Sequence, residues 1–181
     1  MANRLTKIFT KKGDDGSTDI GGNQRVPKYD QTIHVYGSID ELSAAIGLIT
    51  TEENIPQHIL DFLYGVQQNL FNLSGEISAP KFKSIDEKTV TAIETFIDEL
   101  NEKLPPLKDF VIPGINKSSA FAHQSRAICR RAERELFKLA EEKEINQQSL
   151  KYINRLSDAF FVIARTLARK EGEEKIWEHK K

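Results

Sequence analysis

Apolar residues recur at helical spacing along the chain beyond residue 37 and predict five amphipathic helices. The first is expected at Ser38, where Ser38 and Glu41 have the spacing of a capping box, and the second at Pro56, a residue suited to the first helical position. The third is expected at Ser84, which opens a second SIDE tetrapeptide, and Pro105-Pro106 stops it. The last two helices are predicted over 118–142 and 146–170, with Gly172 ending the fifth.

The apolar positions of these helices form the candidate core. They are Leu42, Ala45, Ile46 and Ile49; Ile59, Leu63, Val66, Leu70, Leu73 and Ile77; Val90, Ile93, Ile97 and Leu100; Phe121, Ile128, Ala132 and Leu136; and Ile153, Leu156, Phe160, Ile163 and Leu167. Short connections between long helices favour an all-α, up-and-down five-helix bundle. Only Thr32–Tyr36 suggests a strand. We therefore expect one domain over 1–181, with an N-terminal segment at 1–36 and the bundle at 37–172.

The N-terminal segment contains an unusually polar stretch, TKKGDDGSTDIGG, from Thr10 to Gly22. Its composition fits either a disordered tail or a loop that wraps a charged ligand. The spacing G-x-x-x-x-G-K-[ST] is missing and no hydrophobic strand precedes the stretch, so it is not a P-loop. A second unusual segment, KDFVIPGI at 108–115, joins the third and fourth helices.

Composition narrows the function classes. The chain of 181 residues is 39% hydrophobic and 29% charged, with a net charge of -1. These values describe a soluble globular protein without a global attraction for nucleic acid. One cysteine excludes an intrachain disulfide, no apolar run would span a membrane, and the N-terminus lacks the apolar region of a secretory signal. We therefore expect a cytoplasmic protein that binds neither nucleic acid nor membrane.

Two predicted helices carry polar residues that the core does not need. Arg126, Arg130 and Arg134 lie four residues apart and form an arginine ridge on the fourth helix. The ridge is either a solvated charged surface or a binding site for a polyanion, since guanidinium groups bind phosphate in a bidentate way. Asn154 and Asp158 share one face of the fifth helix and are either helix-to-helix hydrogen-bonding groups or nucleoside contacts.

Other chemistry-bearing residues have simpler interpretations. Asp40 lies in the first turn of its helix, where it either interacts with the helix dipole or pairs with an arginine of the fourth helix. Cys129 is mid-helix beside the core and is interpreted as a packing residue. His123 is interpreted as structural or as a hydrogen-bond donor at the edge of a site. No Glu-x-x-His pair supports a di-iron bundle.

Five stretches together resemble the PduO-type ATP:cob(I)alamin adenosyltransferases, in that family's order and across nearly the whole chain. They are TKKGDDGSTDIGGNQRVPK, YGSIDELSAAIG, DFVIPG, SRAICRRAERELF and INRLSDAFFVIAR. The resemblance implies a homotrimer of five-helix bundles with active sites between subunits. It also implies transfer of the 5'-deoxyadenosyl group of ATP to a cob(I)alamin (corrinoid), with release of triphosphate.

The resemblance assigns residues as well. It implies catalytic roles for Arg126, Arg130, Asp40, which would pair with Arg126 across the subunit boundary, and Phe110, which would fill the lower face of the corrin. ATP-binding residues on the N-terminal loop would be Thr10, Lys11, Lys12, Gly13, Asp14, Asp15, Gly16, Ser17, Thr18 and Lys28. ATP-binding residues on the fourth and fifth helices would be Arg130, Arg131, Ala132, Glu133, Arg134 and Asn154. Phe110 and Asp158 would contact the corrinoid.

Mg²⁺ is expected with ATP, although no residue is assigned as its ligand. A reductase and an adenosylcobalamin-dependent acceptor enzyme are further expected partners. Two positions depart from the family pattern: Lys12 stands where threonine is usual, and Ile115 where glycine is usual. Because isoleucine does not adopt positive φ cheaply, the corrin-side loop is expected to differ in shape.

Two other function classes stay open. A bundle that binds a nucleotide or corrinoid without chemistry would share the loop and the ridge. A nucleic-acid binder would rest on the sequence RRAER alone, and Glu133, Glu135, Glu141 and Glu142 interrupt its positive charge.

Overall fold

Five helices form the protein, together with one small two-stranded sheet. The computed structural model describes residues 8–21, 24–169, 172 and 174–179. The helices are α1 (Gln31–Thr50), α2 (Gln57–Ser78), α3 (Glu87–Asn101), α4 (Lys117–Ala140) and α5 (Gln147–Ala168), and the strands are β1 (Ser17–Asp19) and β2 (Arg25–Pro27). The predicted five-helix bundle is confirmed.

The core runs through the whole bundle. Helix α4 packs on both α1 and α5, while α3 packs on α5 and α1 on α2. The apolar stripe predicted for each helix is buried, apart from Phe121, Ile77 and Ile97, which are half-buried at its edge. Phe62 of α2 and Phe96 of α3 stack with their ring centroids 3.8 Å apart and join those two helices.

Helix α1 begins earlier than the sequence predicts. The carboxylate of Asp30 accepts a hydrogen bond from the backbone N–H of Thr32 at 2.8 Å and starts the helix at Gln31. The predicted start at Ser38 and the strand at Thr32–Tyr36 are therefore wrong, and the bundle reaches into the segment predicted for 1–36. Ser38 is buried inside the helix, and Glu41, its predicted capping partner, bonds to α4 instead.

Helix α3 is also capped by a different residue from the one predicted. Asp86 accepts hydrogen bonds from the N–H and the hydroxyl of Thr89 at 2.8 and 2.7 Å, so the capping box at Ser84 is wrong. The backbone N–H groups of Ser84 and Ile85 donate to the buried carboxylate of Glu76 on α2. Buried carboxylates need such donors, and Glu76 thereby fixes the α2–α3 connection.

Asparagine side chains start the last two helices. Asn116 accepts from the N–H of Ser119 at 2.8 Å at the start of α4, and Asn146 accepts from the N–H of Gln148 at 3.1 Å at the start of α5. Both helices match their predicted ranges within a few residues, although Lys170, the predicted end of α5, lies outside the described residues. Among the described residues, none of the helices is long and apolar enough to cross a bilayer.

Candidate active site

The polar N-terminal stretch forms a folded β-hairpin. Strands β1 and β2 pair antiparallel, with Thr18 opposite Val26, and Gly22 lies outside the described residues. Arg25 holds the turn that precedes β1, because its guanidinium donates to the hydroxyl of Ser17 at 3.0 Å and to the carbonyl of Lys12 at 2.6 Å. The two strands were not predicted, since each has three residues and neither shows an alternating pattern.

Backbone conformation in this hairpin brings a cation and an amide-rich turn together. Gly16 has a φ of 83°, and its carbonyl accepts from the N–H of Lys28 at 2.9 Å. A Cβ at Gly13 would lie 3.3 Å from the ammonium nitrogen of Lys28 and 3.2 Å from the carbonyl oxygen of Ser17, so the lysine lies close against the turn. The segment 10–18 and Lys28, predicted as one site, are thus close together.

Asp15 supports the same turn. Its carboxylate accepts from the N–H of Ser17 at 2.9 Å and from the Ser17 hydroxyl at 2.8 Å. These hydrogen bonds, with a smaller effect of the Arg25 charge, hold the pKa of Asp15 below its usual value. Asp15 therefore stays ionised and stabilises the turn, and both Asp14 and Asp15 are exposed.

The arginine ridge lies on α4 as predicted. Arg130 and Arg134 are exposed and Arg126 is half-buried. The guanidinium of Arg134 donates to the carbonyl of Arg130 at 2.9 Å, so it lies along the ridge. Four-residue spacing places successive arginines roughly 6 Å apart along the helix axis. The ridge can therefore present several cationic groups to one extended anion.

The residues between these arginines have different environments. Arg131 forms an ion pair with Glu41 of α1. Glu133 accepts from the amide of Asn154 at 2.6 Å, and the Asn154 oxygen accepts from Arg155 at 2.6 Å. Asn154 is therefore held beside the ridge, as the predicted site requires. Ala132, predicted to bind ATP, is only 1% exposed in the core, so its methyl group is not available to a ligand.

A cleft of about 510 Å³ brings Phe110 and Arg126 together. Its walls come from the 107–113 segment, from α4 and from α5; the lining residues are Leu107, Lys108, Asp109, Phe110, Val111, Pro113, His123, Arg126 and Phe161. The guanidinium carbon of Arg126 lies 5.3 Å from the ring centroid of Phe161, a cation–π geometry. The cleft thus combines aromatic surface with the cationic side chains of Arg126 and Lys108.

His123 lies in the wall of this cleft and packs edge-on against Phe161. Burial lowers its pKa, and the neighbouring charge of Arg126 lowers it further, whereas Glu174 acts weakly in the opposite direction. The imidazole is therefore neutral at neutral pH and adds no positive charge beside Arg126.

The segment that carries Phe110 is strained at one position. Ile115 has a φ of 82°, and Gly114 before it has a φ of 134°. Positive φ is an outlier for a β-branched residue. Ile115 nevertheless adopts positive φ, so the chain carries the conformational cost on which the expected difference in loop shape is based.

The hairpin and the ridge lie apart in the described part of the chain. None of the hydrogen bonds or ion pairs found in the described residues connects β1, β2 or their turn to Arg126, Arg130 or Arg134. The hairpin instead contacts the end of α2, where a Cβ at Gly21 would lie 3.7 Å from Ser78. Asp40 and Asp158 are exposed.

Sequence reasoning missed three groups that shape the site. Arg25 stabilises the turn that precedes β1, Phe161 holds Arg126, and Glu174 forms a buried ion pair with Arg165 at 2.8 Å. Arg165 lies among apolar residues of α5, and this position in the sequence indicates a buried acidic partner. Its partner lies beyond the predicted bundle, where no periodic pattern indicates a fold.

Comparison with known proteins decides which family this geometry belongs to. The family profile described as cobalamin adenosyltransferase matches residues 8–167, which includes the hairpin, the ridge and the cleft. The chain belongs to the cobalamin adenosyltransferase family. The resemblance stated from the motifs is confirmed.

Individual relatives of this family align over nearly the full chain. A cobalamin adenosyltransferase from Cupriavidus metallidurans is 38% identical, with 100% of this chain and 99% of the relative covered. The Bacillus subtilis corrinoid adenosyltransferase is 37% identical, with 92% and 89% covered.

A solved structure agrees with the fold of this cobalamin adenosyltransferase family member. A variant of the PduO-type ATP:corrinoid adenosyltransferase from Lactobacillus reuteri, complexed with cobalamin and ATP, superposes with a TM-score of 0.88. It is 34% identical, and the match covers 97% of this chain and 98% of that one.

Proposed function

We infer that this protein is an ATP:corrinoid adenosyltransferase, which moves the 5'-deoxyadenosyl group of ATP to the cobalt of cob(I)alamin and releases triphosphate. The single observation that carries this inference is that Phe110 and Arg126, the first residue of the arginine ridge, line the same cleft. The chain that forms this cleft matches the family over residues 8–167. A relative 34% identical has been solved with cobalamin and ATP.

The residues of the site suit a reaction that needs positioning more than acid–base catalysis. Co(I) is a strong nucleophile, so the step requires the ribose C5' to be held over the cobalt. A Co–C bond forms, the C5'–O bond breaks, and the electron pair leaves with triphosphate. Arg126 and Arg130 would stabilise the charge of the leaving group, because preorganised cations act where charge develops.

ATP is proposed to bind between the hairpin and the ridge. The hairpin would hold phosphate through Lys28, the lysines at 11 and 12, and the turn at Gly13 to Thr18; the ridge would contribute Arg130, Arg134 and, at its edge, Arg131. Asn154, held by Glu133 at 2.6 Å, would contact the nucleoside. Backbone N–H groups and arginines together make an effective site for a polyphosphate.

The two halves of this ATP site come from different subunits of a proposed homotrimer. Within one chain the hairpin lies at the end of α2, against Ser78, and shares no described hydrogen bond with the ridge. A head-to-tail ring would bring the hairpin of one subunit to the ridge of the next. Asp40 is exposed on α1 and is proposed to pair with Arg126 of a neighbouring subunit.

Mg²⁺ is proposed to accompany ATP. Magnesium in nucleotide sites is held by phosphate oxygens, waters and one or two carboxylates, and it would neutralise charge on the triphosphate. Within the residues that the structure describes, no cluster of three or more His, Cys, Asp or Glu side chains forms a metal site. The exposed carboxylate of Asp14 is the hairpin group that fits such a metal.

The corrinoid is proposed to enter the cleft. Phe110 is 76% exposed at its rim and apolar, so it would cover the lower face of the corrin without supplying a ligand to cobalt. Loss of a lower ligand eases reduction of Co(II), so Phe110 favours formation of Co(I). Asp158, exposed on α5, is proposed to contact the corrinoid from outside the cleft.

Further partners follow from the chemistry. Production of Co(I) needs an electron donor, so a reductase is a proposed partner, and an adenosylcobalamin-dependent enzyme would accept the product. A cytoplasmic location stays a prediction of the sequence.

The experiment is an anaerobic assay with Mg-ATP and chemically reduced cob(I)alamin. We expect the absorption spectrum of adenosylcobalamin to appear, with one triphosphate released for each product. ATP binding without triphosphate release would instead indicate a protein that binds these ligands without chemistry. Retardation of DNA at moderate salt, without transfer activity, would favour a nucleic-acid binder.

A further inference from the structure

The residues after α5 return across the segment that carries Phe110. We call residues 174–179 the C-terminal strap. The N–H of Trp177 donates to the carbonyl of Phe110 at 2.8 Å, and the N–H of Ile112 donates to the carbonyl of Lys175 at 2.8 Å. Val111 and Ile176 form an antiparallel bridge between these bonds. The strap therefore acts as a short partner strand for the segment 110–112.

Side-chain contacts extend this pairing beyond the bridge. The ring of Trp177 meets the ring of Phe110 edge to face, with centroids 6.2 Å apart. His179 lies 3.1 Å from the carboxylate of Asp109. Phe110 itself is 76% exposed, so the contacts of the strap are the main constraint on its position.

The strap is fixed to the bundle by one carboxylate, that of Glu174. The Glu174 side chain is 3% exposed and accepts from the Nε of Arg165 at 2.8 Å and from Arg169 at 3.1 Å. The Arg165 guanidinium also donates to the carbonyl of Pro105 at 2.8 Å. Arg165 therefore holds the beginning of the 105–115 segment and the beginning of the strap at a common point on α5.

A buried ion pair needs a reason beyond stability. Replacing such pairs by apolar residues is often neutral or stabilising, because desolvation offsets the attraction between the charges. The pair between Glu174 and Arg165 has directional hydrogen bonds to two separate segments, so it fixes their relative position. No apolar side chain at 174 would specify that arrangement.

We propose that Glu174 is a positioning residue for the transferase reaction: through Arg165 and the strap it sets the position of Phe110 at the rim of the corrinoid cleft. This proposal rests on the proposed function of Phe110. Glu174 forms its described ion pairs with Arg165 and Arg169, neither of which belongs to the ridge. Its removal should therefore affect the cobalt environment and the rate of transfer, and leave ATP binding intact.

The test compares Glu174→Gln with Glu178→Gln, a matched change at an exposed position of the same strap. A small displacement of a positioned group can lower a rate by as much as about 100-fold. We expect Glu174→Gln to lower kcat substantially while the KM for ATP stays within about twofold. Glu178→Gln should behave as the wild type.

Two readouts separate positioning from loss of fold. Amide hydrogen exchange at Ile112 and Trp177 should become faster in Glu174→Gln, while exchange in α4 stays unchanged. Co(II) without a lower ligand is four-coordinate. The absorption and EPR spectra of enzyme-bound Co(II)alamin with Mg-ATP should lose the signal of this four-coordinate state in Glu174→Gln. If Glu174→Gln does not fold, Arg169→Ala removes only the half-exposed partner of Glu174 and should give the same changes to a smaller extent.

A third variant, Phe110→Ala, distinguishes the two proposals. If it changes the Co(II) spectrum while Glu174→Gln leaves the spectrum, kcat and exchange at Ile112 as in the wild type, the positioning role of Glu174 is wrong. If Phe110→Ala leaves the spectrum and kcat unchanged although transfer proceeds, the role of Phe110 is wrong, and the positioning proposal is overturned with it.

Discussion

The guanidinium carbon of Arg126 lies 5.3 Å from the centroid of the Phe161 ring, in the wall of the cleft that also holds Phe110. Arg165 approaches the same ring from α5, with its guanidinium carbon 6.0 Å from the centroid. Phe161 thus separates a cation at the proposed site from the cation that binds the C-terminal strap. One aromatic ring contributes to the placement of both.

We expect Phe161→Leu to lower kcat/KM for the corrinoid. Loss of a cation–π contact of about 0.5–1 kcal/mol corresponds to roughly a two- to fivefold decrease, because Arg126 is then held less firmly. Steady-state kinetics with cob(I)alamin would measure it. Phe161→Tyr keeps the ring and should retain the activity; equal losses in both variants would contradict the cation–π explanation.

Arg130→Ala should lower kcat by at least about 100-fold, since it removes a donor for the charge that develops on triphosphate. Arg130 is exposed on α4, so far-UV circular dichroism and the unfolding midpoint should stay those of the wild type. Lys138→Ala, an exposed cation in the last turn of the same helix, is the matched control. An Arg130→Ala enzyme with a normal rate would remove Arg130 from the site.

Mixed oligomers test whether the site is shared between subunits. Lys28→Ala, in the hairpin, and Arg130→Ala, in the ridge, should each be nearly inactive. In trimers assembled randomly from both variants, about a quarter of the sites would combine an intact hairpin with an intact ridge. Activity should therefore recover on co-expression. Persistent inactivity, with mixed trimers seen by native mass spectrometry, would place both halves of the site in one subunit.

Replacing Ile115 by glycine should stabilise the fold. Positive φ at an isoleucine destabilises the folded state by roughly 1–3 kcal/mol. Glycine removes this cost but raises the entropy of the unfolded chain, which lowers stability by about 0.5–1 kcal/mol. The free energy of unfolding should therefore increase by about 1 kcal/mol. Ile112→Gly is the control, because Ile112 is similarly exposed but is not among the residues with positive φ. The free energy of unfolding measured in urea should be higher than that of the wild type for Ile115→Gly and lower for Ile112→Gly.

The cap at Asp30 should make stability depend on pH. Hydrogen bonds from the hydroxyl and N–H of Thr32 hold the pKa of Asp30 below its ordinary 3.8. The stabilisation is therefore complete above pH 3.8 and is lost as the pH falls through the lower, folded-state pKa.

Asp30→Asn should keep the cap and the stability at neutral pH, because asparagine caps equally well, but its stability should no longer depend on this titration. Asp30→Ala should lower the free energy of unfolding by about 1 kcal/mol at neutral pH. Urea unfolding at several pH values would measure both effects. Asp98→Asn, at an exposed position of α3, is the control. An unchanged acid response in Asp30→Asn would contradict the assignment of the cap.

The helices and their core faces were predictable from the sequence, because apolar spacing records which side of each helix is buried. The ridge at Arg126, Arg130 and Arg134 was predictable for the same reason, since helical spacing alone places its members on one face. The ordered motifs also identified the family. These features depend on local periodicity or on short runs of residues.

Only the tertiary structure decided which polar residues cap, pair or become buried. Ser38 and Ser84 had the sequence of helix caps, but α1 is capped at Asp30 and α3 at Asp86. Glu41 bonds to Arg131, Glu76 to the α2–α3 connection, and Glu174 to Arg165. Partners in different elements leave no periodic signal, because only the packing of those elements brings them together.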